Sequence, residues 1–192
     1  MLTVVIPTHE SERTLVQTLA PLVSGATAGL ITEVIVADAG SCDATAEVAD
    51  LAGCTYRVSD APSGARLKDA AAAARTPWFL FLRPGTVPEP GWIEAVEAFM
   101  ADGEASDRAA AFQRRPDEIE RAGLMAFLAT LKAALVGTPI GPDQGLLIAR
   151  RFYDRLGGHP ASAEGEAALL SRLGRRRIAL LAAAARPPRP HT

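Results

Sequence analysis

Apolar residues along the chain follow two spacings. Runs dominated by apolar and β-branched residues at 2–6, 31–37 and 78–82 read as strands buried on both faces, as in a parallel sheet. Pro7 closes the first run, and the third, Trp-Phe-Leu-Phe-Leu, is the most apolar and is expected at the sheet centre. Between the runs the spacing turns helical. Leu15, Leu19 and Leu22 share one face of a helix that Ser11 is placed to cap, running to about residue 23, with Pro21 expected to kink or end it. A small-residue turn from Asp38 leads into a capped helix over 45–51, and 54–58 reads as a third strand. An alanine-dense helix is expected over 63–75, a loop around Pro88, Pro90 and Gly91, and a helix over 92–100. Further on, 109–113 and 146–149 read as strands, 119–136 and 164–173 as helices, 150–156 as a helical turn and 178–181 as a last strand. Strand and helix alternate, which argues for a doubly wound, mostly parallel α/β sheet flanked by helices.

Composition narrows the class. A chain of 192 residues fits one domain, expected over 1–185, with a flexible tail at 186–192. With 48% hydrophobic and 22% charged residues the chain is too apolar to be disordered. Its net charge of −2 argues against a nucleic-acid partner. Aromatics are only 5% while alanine is about a fifth, so the core is expected to be aliphatic with close backbone approach. Cys42 and Cys54 are too few for a disulfide framework and fit no zinc spacing. No basic region precedes the first apolar run, and no apolar stretch reaches the ~20 residues of a membrane span, so a cytoplasmic protein is expected.

In an open α/β sheet, ligands bind beyond the carboxyl ends of the strands at the point where strand order reverses. The polar residues at such ends are Thr8 to Glu10, Asp38 and Arg83, with Arg66 at a helix start nearby. On its own, Asp38 reads as a turn or cap carboxylate. The chain has no GxGxxG after the first strand and no GxxxxGK[ST], HExxH, GxSxG or CxxC. His9, His159 and His191 are scattered and read as separate loop residues.

Four blocks, VVIPTHESERTLVQTL, EVIVADAGSCDAT, FLFLRPGTVPEPGW and GPDQGLLIARRFYDRLGG, resemble in order and spacing the family 2 glycosyltransferases of GT-A fold. The resemblance is greatest to a small bacterial subgroup with a GDQG-type motif, and it spans nearly the whole chain. It implies a nucleotide-diphosphate sugar as partner, most simply a UDP-sugar, and an acceptor of unknown identity. By position it assigns Pro7, Thr8 and Glu10 to a nucleotide-contacting loop, Asp38 to recognition of the base and Arg66 to a basic residue near the nucleotide. It assigns Asp143, Gln144 and Gly145 to the acceptor side, and Glu166 to the acidic pair whose acid acts as base.

Departures from the family accompany these matches. Where relatives carry an acidic D-x-D or H-A-D metal motif, this chain reads Arg83-Pro84-Gly85. The first acid of the acidic pair is Gly165, and an asparagine common in the Arg66 helix appears as Asp69. Mg²⁺ or Mn²⁺ is the cofactor the resemblance implies, yet the usual ligands are absent and no metal ligand is assigned. Two readings follow. One is an inverting, metal-independent transferase in which Arg83 supplies the cation and Glu166 the base. The other is a non-catalytic relative that binds a nucleotide or a partner. Nucleotidyl transfer ranks third, because the first loop lacks a glycine-rich, basic phosphate cradle. Arg172, Arg175, Arg176, Arg177, Arg186 and Arg189 form a basic cluster that reads as a solvated face, or else as a weak peripheral contact with anionic lipid.

Overall fold

The computed structural model describes residues 1–114 and 140–188. The helix expected over 119–136 and the final residues 189–192 lie outside the described residues. Eight strands form one sheet: β1 (Leu2–Thr8), β2 (Ile31–Asp38), β3 (Thr55–Val58), β4 (Trp78–Phe81), β5 (Val87–Pro88), β6 (Ala109–Arg114), β7 (Leu146–Ala149) and β8 (Ile178–Arg186). Their spatial order is β3-β2-β1-β4-β7-β6-β8-β5. The first four run parallel. β7 is antiparallel to both β4 and β6, β8 is parallel to β6, and β5 is antiparallel to β8. The mostly parallel sheet therefore contains two reversed strands, and the apolar run at 78–82 does lie near its middle.

Helices cover both faces. α1 (Glu12–Thr27), α2 (Thr45–Leu51) and α4 (Trp92–Ala101) pack on one face, contributing Leu15, Leu19, Ala49, Trp92 and Val96 to a core with Val4, Ile6 and Leu80. α3 (Ser63–Ala73), α5 (Arg150–Arg155) and α6 (Gly165–Leu173) pack on the other, where Leu67, Phe152, Tyr153 and Leu169 meet Val5, Phe79 and Phe81. Neighbouring strand residues thus go to opposite cores, as the pleat requires. The alanines of α3 let it lie close to the sheet, with Ala70 and Ala71 buried.

Several local expectations are corrected. α1 passes through Pro21 and ends only at Thr27. Ser11 stands at its N-cap position but makes no side-chain cap; its hydroxyl donates to the His9 carbonyl, and Asp43 Oδ2 accepts the Glu12 N–H instead. α2 also lacks a side-chain cap, with Ala44 at the cap position. The loop expected around Pro88 contains the two-residue β5, on the sheet edge where a proline's missing N–H costs no ladder bond. The last strand continues past Leu181 to Arg186.

Pro7 does not end its strand. β1 pairs with β2 as far as Thr8–Asp38 but with β4 only as far as Val5–Phe81. Pro7 therefore falls where β1 has already parted from β4, on the side where a donor is not needed. This parting at the centre of the sheet, where strand order reverses, opens the cleft described next.

Candidate active site

The cleft is about 320 Å³ in volume, and among the residues that line it are Thr8, His9, Glu10, Arg66, Arg83 and Glu166. Two stitched loops form one wall. The Glu10 N–H donates to Ser41 Oγ at 2.9 Å, and Glu10 Oε1 accepts the Cys42 N–H at 2.7 Å. Glu10 has a φ of 49°, a left-handed conformation that this pair of bonds holds in place. The nucleotide-loop residues expected from the sequence thus come together, but the Glu10 carboxylate is engaged by the neighbouring loop.

Asp38 anchors that wall. It is fully buried. Its Oδ1 accepts from Thr8 Oγ1 at 2.7 Å and Ser41 Oγ at 2.6 Å, and its Oδ2 accepts from the N–H groups of Gly40 at 2.7 Å and Ser41 at 2.6 Å. Burial alone would raise its pKa; hydrogen bonds from Ser41, Thr8 and Tyr56 outweigh that and bring it down to about 2. A carboxylate offers about four acceptor sites, and all are taken. The structure thus makes Asp38 the buttress of two loops.

Arg66 sits on the first turns of α3 and is similarly occupied. Its Nη1 donates to the carbonyls of Thr8 at 3.0 Å and Ala37 at 2.5 Å, and its Nε to that of Ala61 at 3.1 Å. Burial lowers its pKa, against the attraction of Asp38. It ties the ends of β1 and β2 together while its head lines the cleft.

Arg83 occupies the far side. The run Arg83-Pro84-Gly85-Thr86 is a tight turn, closed by Thr86 N–H to the Arg83 carbonyl at 3.0 Å, with Gly85 at φ +87°. Proline second and a positive-φ glycine third are what a type II turn needs. α1 fixes the turn: the Gly85 N–H meets the Thr14 carbonyl at 3.0 Å and Thr18 Oγ1 at 2.8 Å. From here the guanidinium reaches Glu166 at the start of α6. Nε lies 3.0 Å from Oε2 and 3.2 Å from Oε1, and Nη2 lies 2.9 Å from Oε2. The Arg83 side chain is 43% exposed and that of Glu166 14%. The two residues assigned to catalysis from the sequence are therefore direct partners.

The block at 143–145 serves mainly the fold. Gln144 is buried; its Oε1 accepts the Gly141 N–H at 3.0 Å and its Nε2 donates to the Phe112 carbonyl at 2.9 Å. Gly145 has a φ of +69°, and a Cβ there would lie 2.7 Å from Leu82 Cδ2. Asp143 pairs with Arg114 at 2.6 Å. None of the three lines the main cleft.

Sequence reasoning missed two neighbours of the site. Pro188 packs against Gly85 and lines the cleft. His159, read as a loop residue, is buried against Phe81 and hydrogen-bonded through Nδ1 to the Tyr153 hydroxyl at 2.8 Å. It lines a very small cavity with Glu166, and burial pushes its pKa down to about 4. No sequence signal marked either one, because both arrive from distant segments. Arg172, Arg175, Arg176 and Arg177 do not line the cleft.

The end of β4 does not fit a divalent metal. It presents an arginine, a proline and a glycine, and no cluster of three or more His, Cys, Asp or Glu among the described residues could hold an ion. No helix among the described residues is long and apolar enough to cross a membrane.

Solved structures share this architecture. Glucosyl-3-phosphoglycerate synthase from Mycobacterium tuberculosis, in complex with Mn²⁺, UDP and glucosyl-3-phosphoglycerate, superposes with a TM-score of 0.67 at 22% identity, covering 94% of this chain and 68% of that one. Mannosyl-3-phosphoglycerate synthase from Rubrobacter xylanophilus gives 0.72 at 18% identity, covering 100% and 67%. S. aureus TarS 1–349 gives 0.70 at 17% identity, covering 97% of this chain but 60% of that one. At these identities the likeness shows the GT-A fold. No curated protein sequence matches the chain. The sequence model described as Glycosyl transferase family 2 matches residues 3–155, most of the chain, and with that match the chain belongs to glycosyl transferase family 2, a family of transferase enzymes.

Proposed function

We propose that the protein transfers a sugar, with inversion, from a nucleotide-diphosphate sugar to a hydroxyl acceptor, and does so without a metal. The observation that carries this reading is Arg83: a cation held on a rigid turn in the cleft, where relatives place acidic metal ligands. In this fold, charge develops on the diphosphate leaving group as the anomeric C–O bond breaks. A fixed guanidinium meets that charge with directed N–H donors. Glu166 is the base. Its Oε2 takes two of the Arg83 bonds, whereas Oε1 takes one, at 3.2 Å. Oε1 thus keeps acceptor capacity for the proton of the attacking hydroxyl. UDP is the simplest nucleotide, as in the M. tuberculosis complex. The base lies against the loop that Asp38 holds together; Asp38 itself could accept from a base N–H only if one of its present donors gave way.

Arg83→Ala should lower the transfer rate by roughly two to three orders of magnitude, the usual loss of one oriented charge-stabilising donor. A chelator should leave the wild-type rate unchanged. Loss of activity with chelator would overturn the metal-free reading.

One observation favours a second reading, a nucleotide-binding relative that does not turn over. Arg83 and Glu166 are paired with each other, and Asp38 holds four hydrogen bonds within the protein. Calorimetric binding of UDP-sugars with no turnover of any donor would support it.

A further inference from the structure

We infer that Glu166 is also a positioning residue: it grips one edge of the Arg83 guanidinium and so presents the other edge to the phosphates of a nucleoside diphosphate. The inference rests on the reading of the cleft as a nucleotide site. A guanidinium has five N–H donors in a plane and two edges that match an anion bidentately. Glu166 takes the side edge, Nε with Nη2. Among the described residues Nη1 has no hydrogen bond, so the end edge, Nη1 with the second Nη2 hydrogen, is open. The Arg83 side chain is 43% exposed, so without Glu166 it would sample many rotamers, most of them away from the cleft.

The grip is itself rigid. Glu166 follows Gly165, and Gly165 is wedged against α3: a Cβ on it would lie 2.5 Å from Gly64 Cα and 2.7 Å from the Pro160 carbonyl oxygen. Arg83 stands on a turn pinned to α1 by Thr14 and Thr18. The ion pair therefore spans two fixed points, one on each face of the sheet. The negative charge of Glu166 opposes a phosphate at longer range, but it is neutralised by the arginine that it aims. Removing the carboxylate should cost more through lost orientation than it gains through lost repulsion.

Calorimetry with UDP, pyrophosphate and uridine tests this without requiring turnover. Wild type should bind UDP, and Glu166→Gln should weaken UDP and pyrophosphate binding about ten-fold, or about 1.4 kcal/mol. Uridine, which has no phosphate, should bind both proteins equally, which separates lost orientation from general damage to the fold. Arg83→Lys, with one charge but no second edge, should weaken UDP to a similar extent, and adding Glu166→Gln to it should change little further. UDP affinity in Glu166→Gln equal to or tighter than wild type would overturn the inference while leaving the nucleotide reading intact. Failure of wild type to bind UDP, pyrophosphate or uridine would overturn the nucleotide reading and the inference with it.

Discussion

Asp38 shows what one buried side chain does at the residue scale. In the folded chain it stays ionised down to about pH 2, well below the 3.8 of an ordinary aspartate side chain. A carboxyl whose folded pKa is depressed adds stability that is fully present above the unfolded pKa and is lost as pH falls through the folded one. The contribution is about 2 kcal/mol, present above pH 4 and lost between about pH 4 and 2. Asp38→Asn should therefore lower the urea-unfolding free energy at pH 7 by about 2 kcal/mol, since the neutral amide loses the charge-assisted bonds and puts a donor where an acceptor stood. The gap between variant and wild type should narrow as pH falls from 4 to 2. The position of Asp38 at a strand end was legible from the sequence. Its saturation was not, because its donors come from Thr8, 30 residues away in the chain, and from a loop geometry that propensity does not encode. Arg83 was legible as a strand-end residue in the same way, whereas Glu166 was singled out only by the family resemblance. Their contact was not legible, since it joins segments 83 residues apart.

At the scale of elements, the meeting of α3 with α6 decides what the site may contain. Gly64 and Gly165 touch backbone to backbone: a Cβ on Gly64 would come within 1.9 Å of the Pro160 carbonyl oxygen. No side chain fits at 165 while the helices lie this close, so the first member of the acidic pair that the resemblance implies has no room there. Gly165→Ala should destabilise the protein by about 1–3 kcal/mol through overpacking, seen as a lower urea midpoint with an unchanged slope. Gly165→Asp, which would restore the acidic pair, should be worse still and should not raise activity. Strands were the most legible elements, since short β-branched and apolar runs such as 78–82, bounded by turn residues, fit a buried strand of an α/β fold. Helix starts were less so. Ser11 and Thr45 have the right chemistry for caps, but the Ser11 hydroxyl donates to the His9 carbonyl in its own loop and Thr45 Oγ1 accepts the Ser11 N–H from the neighbouring one. Pro21 does not end α1: the burial of Leu15, Leu19 and Leu22 along one face outweighs the lost bond and the ring clash of an internal proline.

At the scale of the whole molecule, order along the chain was readable and direction in the sheet was not. An apolar run looks the same whichever way it points, so the reversal of β7 left no mark in its sequence. That reversal brings the start of β7, with the block at 143–145 before it, to the same edge of the sheet as the ends of β1, β2 and β4. The cleft at that edge has a further property. Its charged lining is two arginines, Arg66 and Arg83, against two glutamates, Glu10 and Glu166, a formal sum of zero. The lining alone therefore contributes little net field, and the buried Asp38 carboxylate adds a further charge behind the wall. A doubly charged ligand should find it by unassisted diffusion, so the association rate of UDP in stopped flow should change little between low and high salt; a steep fall with salt would reveal steering from elsewhere on the surface. The same balance bears on the end of the cycle. On the proposed reading, a nucleotide released after transfer would be held by this lining mainly through short-range bonds.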